Sequence, residues 1–580
     1  MKDSSDRSDQ MSDRVRQRAR GYLTRAEGPG SPWIEVALVA LVGVVLLYIV
    51  RSAWFFGDDW QMLTFRRELL HSGQWIQFLF NPHNEHLSTT VVVVFSVLES
   101  LFGIDSAIPF LVVVIIAHLA LLWVVRCFLL RWGVSLIPRL FAIVWLGFLG
   151  SGAENLVWAF QAAYIGALAL GLWGLYLVTG SSRSLRRNCV ASMLFILSLF
   201  TAGTSLPVFA ISMLVIIWNR RWRQLLEVGL APAILYASWF LLYGASRQPQ
   251  NPRSLTQIVP YMTRGLEFGL DQIVQFGVLG FILGIAAVML LALTDWYTGD
   301  HRVTLVALIL GAVAFFALGG WGRGFYGADQ AQAVRYVYVL GAFAIPILIA
   351  VGYRVMQSHR LFAAVGFAFL AIAIIGNFGA LLSFRNGRVE LTDRFRAIFD
   401  ATAVYLDEPL VDDGLQVEPT YNPDVTVARL RALRDEGYWT PDPTVNEMIG
   451  LEAAARLGIR TGAAAPVASS ALGRLRIMAV DGATLSSGVD GCVAITPVGD
   501  APSISLSEGR SGIISLSTGG RPSSMVIRSV ATPSLQAGPV DLGTTGSTGP
   551  VRVAVFPAVG RPIIMVPATG ITTLCGVDVP

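Results

Sequence analysis

The sequence predicts an α-helical polytopic membrane domain followed by a C-terminal extracytoplasmic α+β domain that ends in a β-sandwich. Of its 580 residues, 54% are hydrophobic and only 14% are charged, whereas about a quarter of the residues in an ordinary soluble domain are charged. The charged residues crowd into residues 2–30, into short gaps between apolar runs and into the region beyond Phe384. This is the pattern of membrane spans separated by loops. The net charge of +4, without a basic stripe interleaved with aromatics, argues against a nucleic-acid partner.

The first apolar run, Ile34 to Val50, follows a polar, Arg-rich leader at residues 1–33. A secretory signal peptide has a similar order of segments. However, the leader is long, the run is about the length of a full span, and no small-x-small cleavage site follows it. We expect a retained first helix with the leader in the cytoplasm, so that Arg51 onward emerges outside.

Further apolar runs predict about 11 to 13 transmembrane helices within residues 34–383. Arg-rich gaps mark the cytoplasmic side, so the remaining gaps and the C-terminal domain are expected outside. The stretch Ser88 to Phe102 conflicts with this alternation, because counting it as a crossing reverses the side of everything after it. Whether it spans the membrane or is re-entrant stays open. The runs after the first lie at residues 108–126, 138–150, 163–179, 189–201, 204–218, 226–243, 273–293, 303–318, 336–355 and 361–383.

Beyond the last run, residues 384–470 are predicted to be a helical extracytoplasmic segment with amphipathic helices at Leu391–Leu406, Val425–Glu436 and Val445–Leu457. Residues 471–580 contain short β-branched runs parted by Gly, Ser and Pro, which is typical of an antiparallel sandwich. Cys492 and Cys575 lie near the two ends of this sandwich, and an external compartment would permit them to pair. Two buried free thiols are the alternative.

The first outer loop, residues 51–87, holds the most informative polar residues. Asp58 and Asp59 follow the first helix directly, and charge beside lipid is costly unless it is exposed, paired or functional. A helix N-cap is the plain alternative for this pair. An interfacial helix is predicted at Gln74–Phe80. His83, Glu85 and His86 come next, so the loop brings these groups to the same membrane face as the two aspartates.

These groups have two open interpretations. Asp58, His83 and His86 are candidate ligands of a divalent cation such as zinc or manganese, although their spacing matches no fixed metal motif. Alternatively, Glu85 and His86 line a polar substrate cavity.

Two further outer segments carry candidate ligand-binding groups. Glu154, Asn155 and Gln161 are separated by aromatics and suit hydrogen bonding and stacking on sugar rings; an interfacial aromatic belt is the alternative. The glycine-rich run 319–327 precedes Arg335, whose guanidinium fork matches phosphate oxygens. A structural turn with Arg335 reaching the headgroups is the alternative there.

A retained first helix, a long outer loop that opens with Asp58-Asp59, many spans and an extracytoplasmic C-terminal domain together resemble the GT-C superfamily of membrane glycosyltransferases. This superfamily includes protein mannosyltransferase-like, aminoarabinose transferase-like and actinobacterial arabinosyltransferase-like enzymes. The resemblance covers roughly residues 34–383, and the tail is loosely similar to the sugar-binding sandwiches of some members. The sequence has Asp-Asp-Trp where protein mannosyltransferases have Asp-Glu.

The resemblance implies a function. It places the catalytic carboxylate on Asp58, with Asp59 beside it, and it implies a sugar donor on a polyprenyl phosphate held by Arg335 with Tyr336 and, secondarily, by Arg323. The implied acceptor is an envelope glycan, lipid or protein on the outer face. A transporter or flippase of lipid-linked sugars is the main alternative, although the chain shows no internal repeat. A polymer ligase or a scaffold for envelope assembly is a third.

Cysteine labelling tests the predicted topology. In a chain whose native cysteines are replaced, Ser72→Cys and Thr544→Cys should react with a membrane-impermeant maleimide in intact cells, because the Arg distribution places both residues outside. Reaction of either one only after permeabilisation would contradict the topology.

Overall fold

The fold is described from a computed structural model, in which the chain divides into two compact units. One comprises the residues up to Phe102 and Ser106–Leu391, and the other comprises Gly103–Asp105 and the residues from Thr392 onward. The structure describes residues 31–180, 184–247, 254–403, 406–407, 413–442 and 444, and, within the C-terminal region, residues 475–481, 483–487, 493–498, 503–506, 512–518, 524–530, 540–544, 551–555, 561–565, 572–575 and 577–578.

The first unit is helical throughout its described residues. Short 3₁₀ turns at Gly150–Gly152, Ala159–Gln161, Ala245–Arg247, Gly324–Tyr326 and Ala328–Gln332 and a π-turn at Phe240–Gly244 join or extend its helices. The helices are α1 Ser31–Val50, α2 Asp58–Leu63, α3 Phe65–His71, α4 Trp75–Phe80, α5 Thr89–Phe102, α6 Ile108–Arg131, α7 Leu136–Gly147, α8 Glu154–Val157, α9 Ala162–Val178, α10 Leu185–Leu199, α11 Ser205–Trp218, α12 Trp222–Trp239, α13 Leu255–Val274, α14 Leu279–Leu293, α15 Gly299–Arg323, α16 Val334–Met356 and α17 Arg360–Ala403.

The predicted polytopic helical fold is confirmed, with fewer full-length spans than expected. Among the described residues, 7 helices are long and apolar enough to cross a membrane, and the pair α13 and α14, bent by 103°, raises the number to at most 8. Several predicted runs instead form helices of 12 to 15 residues, among them α7, α10 and α11, and the undecided stretch Ser88 to Phe102 forms the 14-residue helix α5. At 1.5 Å per residue, a helix of this length is shorter than the roughly 30 Å hydrocarbon core.

Helix α5 explains why the stretch Ser88 to Phe102 conflicted with the alternation of sides. Its 14 residues are too few for a full crossing. Its one carboxylate, Glu99, is buried and lies 3.4 Å from the guanidinium of Arg67 on α3. An ion pair with the outer loop ties α5 to that loop.

Two boundaries also differ from the prediction. The gap expected at residues 244–272 is largely helix α13. This helix is amphipathic, and the polar residues on one of its faces lower its mean hydropathy. The separate helix predicted at Leu391–Leu406 is the last part of α17, which runs unbroken for 44 residues.

Helix α16 is the centre of the first unit. Its most apolar window is 83% buried, whereas the corresponding windows of α12 and α17 are 22% and 17% buried. The exposed side chains of α17 include Leu361, Val365, Ile372 and Ile375. A helix at the periphery of the bundle is expected to have a large exposed apolar surface where it faces lipid.

A buried asparagine locks α17 against its neighbours. The Asn377 Oδ1 accepts hydrogen bonds from the Ser151 amide at 3.1 Å and the Ser151 hydroxyl at 3.0 Å. Its Nδ2 donates to the carbonyls of Ile273 and Ala373, both at 2.9 Å. Ile273 stands just before the break between α13 and α14, so one side chain joins three segments.

Among its described residues, the C-terminal unit contains helix α18 Val427–Asp435 and thirteen strands, which agrees with the predicted α+β character. The strands form sheets in the orders β1-β2, β10-β7-β12-β5-β4 and β13-β3-β6-β11-β8-β9, paired antiparallel except β13 with β3. They are β1 Gln416–Glu418, β2 Asn422–Thr426, β3 Leu475–Asp481, β4 Ala483–Ser487, β5 Val493–Pro497, β6 Ser503–Leu506, β7 Gly512–Thr518, β8 Ser524–Val530, β9 Val540–Thr544, β10 Val551–Val555, β11 Arg561–Met565, β12 Thr572–Cys575 and β13 Val577–Asp578.

Both larger sheets bury apolar side chains, as a sandwich requires: Ile477 and Ile504 on one, and Val493, Ile495 and Leu574 on the other. The helix predicted at residues 445–457 lies outside the described residues. So does Cys492, and the described structure leaves out the Cys575 side chain. The disulfide therefore stays a prediction.

Replacing Asn377 with leucine should lower the free energy of unfolding by about 1 to 3 kcal/mol, because buried donors and acceptors at Ser151 and Ile273 lose their partner. The measurement is the unfolding temperature in detergent. Asn386→Leu is the matched control, since it makes the same change at an exposed position of α17. Equal effects of the two substitutions would contradict this role for Asn377.

Candidate functional site

Aromatic packing folds the start of the outer loop inward. Phe55 and Trp60 are fully buried, and Phe55 packs edge-on against Phe110 of α6 with ring centroids 5.0 Å apart. Between them, Gly57 has φ 55° and ψ −120°, a conformation that only glycine adopts readily. Helix α2 begins directly after Gly57, so that Asp58 and Asp59 lie in the first turn of the helix. Gly57 is the N-cap and α2 shows no side-chain cap bond, so the alternative of an aspartate N-cap is wrong.

Asp59 is fully buried and joins two segments. Its Oδ2 accepts a hydrogen bond from the Phe56 amide at 2.9 Å, and its Oδ1 accepts one from the Phe160 amide at 2.7 Å. Trp158 adds a third link by donating to the Phe56 carbonyl at 2.8 Å. The sequence resemblance grouped Asp59 with Asp58 as catalytic, but this burial assigns Asp59 to positioning the loop.

Burial raises the pKa of Asp59 to about 8, and the negative charge of Asp58 adds to the rise, although the two amide donors and Arg388 oppose it. The Asp59 carboxyl group therefore titrates near pH 8.

Asp58 faces outward from the same turn, with 40% of its side chain exposed. Its Oδ2 lies 3.4 Å from the Nε2 of His83. Burial would raise the pKa of Asp58, but the hydrogen bond and charge of His83, together with Arg335 and Arg323, lower it below its usual value. Asp58 is therefore an ionised carboxylate at neutral pH that is open to a ligand.

Gln61, one helical turn beyond Asp58, orients His83 from the other side. The Gln61 amide oxygen is in hydrogen-bond contact with the His83 Nδ1. An amide oxygen only accepts, so Nδ1 carries a proton in this arrangement. His83 thus lies between the Gln61 amide and the Asp58 carboxylate, with its Nε2 facing the Asp58 Oδ2.

A tight turn sets the two histidines side by side. The backbones of His83 and His86 exchange two hydrogen bonds of 2.9 Å, and Asn84 takes the left-handed conformation with φ 51°, which asparagine tolerates better than most residues. Burial lowers the pKa of His86 to about 4, assisted by the positive charge of Arg323 and opposed by Glu85. His86 is neutral at neutral pH.

Glu85 bridges this turn to the outer end of α15. Its Oε1 accepts from the Arg323 Nη2 at 2.6 Å and Nε at 3.1 Å. The Arg323 Nη1 donates to the Tyr336 hydroxyl at 2.7 Å. Burial would raise the pKa of Glu85, but the charge and hydrogen bonds of Arg323 lower it. One carboxylate, one guanidinium and one phenol thus form a continuous polar chain.

Arg335 sits in the first turn of α16, where the positive end of the helix dipole disfavours a cation. Glu154 compensates: its Oε2 accepts from the Arg335 amide at 3.1 Å and its Oε1 from the Arg335 Nη1 at 3.0 Å. Arg335 keeps 30% of its side chain exposed. Glu154 thus positions Arg335, and its sugar-binding role stays a prediction.

Asn155 and Gln161 lie behind the site. Asn155 is 0% and Gln161 1% exposed, and the Asn155 Nδ2 donates to the Gln161 Oε1 at 3.0 Å. Two buried amides bonded to each other do not face a sugar, so the direct contact expected from the sequence is corrected to a packing role. Their position next to Phe160 supports the segment that Asp59 holds.

The sequence reasoning missed Arg388. Its guanidinium carbon lies 3.7 Å from the centre of the Phe56 ring and 5.8 Å from that of Trp158, within cation–π range. A lone arginine four residues beyond Phe384 gives no motif, and only the packing of α17 against the outer loop brings it here.

The metal hypothesis gains no third ligand from the fold. Asp58 pairs with His83, while His86 faces Glu85 at 3.6 Å. Within the residues that the structure describes, no group of three or more His, Cys, Asp or Glu side chains converges for a metal ion. A divalent cation stays a prediction from the sequence.

Fold and site together define a multi-pass membrane protein with a polar, charge-paired site at one end of its helix bundle. No family model matches the chain, and no curated protein matches its sequence. Solved structures do match. ArnT from Cupriavidus metallidurans bound to undecaprenyl phosphate is similar over 70% of this chain and 85% of its own, with 15% identity and a TM-score of 0.45.

Two other matches cover less of the known protein. The oligosaccharyltransferase of Archaeoglobus fulgidus, in its apo form, is similar over 71% of this chain and 60% of its own, with 11% identity and a TM-score of 0.38. Arabinosyltransferase EmbB from Mycobacterium smegmatis is similar over 93% of this chain and 64% of its own, with 12% identity and a TM-score of 0.37. All three are glycosyltransferases of the GT-C superfamily, the class that the sequence resembles.

Asp59 should make the protein less stable as pH rises through 8. Its pKa of about 8 in the folded state exceeds the ordinary value of 3.8, so its stabilising contribution is full below about pH 4 and is lost as pH rises toward 8 and above. We expect a loss of about 1 kcal/mol between pH 7 and 8 and little change beyond pH 9. Unfolding temperatures in detergent, measured from pH 7 to 9.5, test this.

Asp59→Asn should abolish this slope, and Asp58→Asn should keep it, because the lowered pKa of Asp58 lies outside the window. An unchanged slope in Asp59→Asn would contradict the assignment.

Proposed function

We propose that the protein is a membrane glycosyltransferase that moves a sugar from a polyprenyl phosphate to a hydroxyl acceptor of the cell envelope on the outer face of the membrane. The single observation that supports this most is that an acidic side chain and two arginines lie in one cluster. An accessible, ionised Asp58 lies where the charges of Arg335 and Arg323 reach it. Transfer from a lipid phosphate needs a carboxylate for the acceptor and cations for the leaving group.

The proposed reaction is one displacement at the anomeric carbon. The acceptor oxygen bonds to that carbon as the bond from carbon to the phosphate oxygen breaks. The acceptor proton passes to the Asp58 carboxylate, and the polyprenyl phosphate departs with the bonding electron pair. Arg335, together with Arg323 and the Tyr336 hydroxyl, stabilises the charge that gathers on the phosphate.

The lowered pKa of Asp58 shapes its proposed role. A carboxylate with so low a pKa is a weak base toward an intact hydroxyl, since general bases work best with a pKa near the working pH. It instead binds the acceptor hydroxyl as a hydrogen-bond acceptor and takes the proton late, when the oxygen has begun to bond to carbon. His83 holds Asp58 in place from 3.4 Å.

The two arginines are proposed to exchange partners when the donor binds. Arg323 and Arg335 are each satisfied by a glutamate, at 2.6 Å and 3.0 Å. A phosphate offers more acceptor oxygens and more charge than a carboxylate, and it suits the guanidinium fork. The undecaprenyl phosphate bound to the matched ArnT structure motivates a polyprenyl phosphate as the donor carrier to be tested here.

A flippase of lipid-linked sugars is the second candidate, because the 103° break between α13 and α14 is the kind of interrupted helix that transporters use. At this break, however, the Asp271 carboxylate accepts from the Phe281 amide at 2.8 Å, so it caps α14. A vesicle assay separates the two candidates: a flippase moves fluorescent lipid-linked sugar across the bilayer without an acceptor, and a transferase does not.

Asp58→Asn should lower the transfer rate by about 10² to 10⁴, because the amide cannot take the acceptor proton. Arg335→Ala should weaken use of the donor more than use of the acceptor, since its charge meets only the phosphate. The assay uses purified protein in detergent with polyprenyl-phosphate sugars and a range of acceptors.

Asp329→Asn is the matched control, as it makes the same change at an outer carboxylate that is 89% exposed. It should leave the rate unchanged. Full activity in Asp58→Asn, with normal folding and insertion, would remove the catalytic assignment.

A further inference from the structure

The end of α9 opposite to the candidate site carries a cluster of arginines that the proposed function does not use. Three arginines from three other segments converge on the carboxyl end of this helix. They are Arg131 at the end of α6, Arg187 in the first turn of α10 and Arg221 before α12. The candidate site lies at the amino end of the same span, which runs for 20 residues from Ala159 to Val178. At 1.5 Å per residue this separates the two by about 30 Å, the thickness of the hydrocarbon core.

The arginines bind the last carbonyls of α9. The Arg131 Nη1 donates to the Tyr176 carbonyl at 3.0 Å, and the Arg187 Nη2 reaches the same oxygen at 3.4 Å. The Arg187 Nε donates to the Leu177 carbonyl at 2.8 Å. The two guanidinium groups therefore lie side by side and share one acceptor oxygen.

The site for Arg187 is built into the backbone. A Cβ on Gly180 would lie 2.0 Å from the Arg187 Nη2 and 2.8 Å from its Cζ, so the absence of a side chain at Gly180 leaves the space that the guanidinium occupies. The Arg131 guanidinium stacks 3.5 Å from the centre of the Tyr176 ring. Both groups have fixed positions and are partly exposed.

The cluster has more positive charge than its surroundings neutralise. A helix carboxyl end supplies the equivalent of only about half a negative charge. Asp300 lies 3.4 Å from Arg221, but among the described residues neither Arg131 nor Arg187 forms an ion pair with a carboxylate. Burial and the nearby charge of Arg131 lower the pKa of Arg187, which is the effect expected of like charges held together.

The surroundings of the cluster are those of a membrane interface. Trp218 and Trp222, on either side of Arg221, are 79% and 59% exposed, and exposed tryptophans favour the headgroup region. Leu185, just before Arg187, is 57% exposed. An anionic ligand at this position would contact the donors of both arginines and the exposed apolar side chains beside them.

We propose that Arg131 and Arg187 form a binding site for the phosphate headgroup of an anionic phospholipid, in the leaflet opposite to the candidate active site. A phosphodiester supplies the negative charge that the cluster lacks. Its oxygens accept hydrogen bonds from the guanidinium groups of Arg131 and Arg187. Its acyl chains continue along the exposed apolar faces beside them. Basic pockets between helices bind anionic headgroups by the same chemistry.

Native mass spectrometry of the full chain, released from nanodiscs of phosphatidylcholine with one-fifth phosphatidylglycerol, tests the proposal. Wild-type protein should bind phosphatidylglycerol at least about tenfold more tightly than phosphatidylcholine. The double variant Arg131→Gln, Arg187→Gln should lose this preference. Arg223→Gln is the matched control, because Arg223 lies on the same face but is 86% exposed and paired with Glu227 at 2.7 Å; it should keep the preference.

Three outcomes would overturn the proposal. The first is wild-type protein that shows no preference for phosphatidylglycerol, a result that requires no variant to fold. The second is a double variant that unfolds at the wild-type temperature in phosphatidylcholine yet keeps the preference. The third is an increase in unfolding temperature caused by inorganic phosphate in phosphatidylcholine nanodiscs that equals the increase caused by phosphatidylglycerol. That result would assign the cluster to a free anion.

Discussion

The end of the helix bundle that carries the candidate site depends on one buried carboxyl group. Asp59 accepts hydrogen bonds from the amides of Phe56 and Phe160, which are far apart in sequence. A buried carboxyl group without hydrogen-bond partners is costly, so both segments close on it. Once they do, Trp158 reaches the Phe56 carbonyl and Asp58 is aimed outward beside His83. The accessible carboxylate is positioned by its inaccessible neighbour.

Charge pairing organises the rest of that face. Arg323 and Arg335 each meet a glutamate, and Asp58 meets His83. Partial burial strengthens such pairs because the local dielectric is low, and it also makes an unpaired charge expensive. Each arginine–glutamate pair is neutral without a ligand, and the two arginines are already oriented for an anion with more charge than a carboxylate.

The errors of the sequence reasoning share a cause. Asn155 and Gln161 were predicted to be ligand-binding amides because they stand among aromatics at a helix end, but both are buried and joined to each other by one hydrogen bond. Three apolar runs that were predicted as spans form the short helices α7, α10 and α11, because hydropathy reports the apolar character of a segment and not where its helix begins or ends. Arg388 carried no local signal, since its partner Phe56 lies more than 300 residues away in the chain.

The sequence alone determined the membrane class, the outer loop with Asp58 and Asp59, the arginines at the ends of later helices and the change to strands in the C-terminal region. These follow from composition, periodicity and charge distribution, which are properties of short segments. Only the tertiary structure decided which of two adjacent aspartates is exposed, which arginine meets which glutamate and which polar groups face inward. Those choices depend on burial and on hydrogen bonds between distant residues, and no local pattern records them.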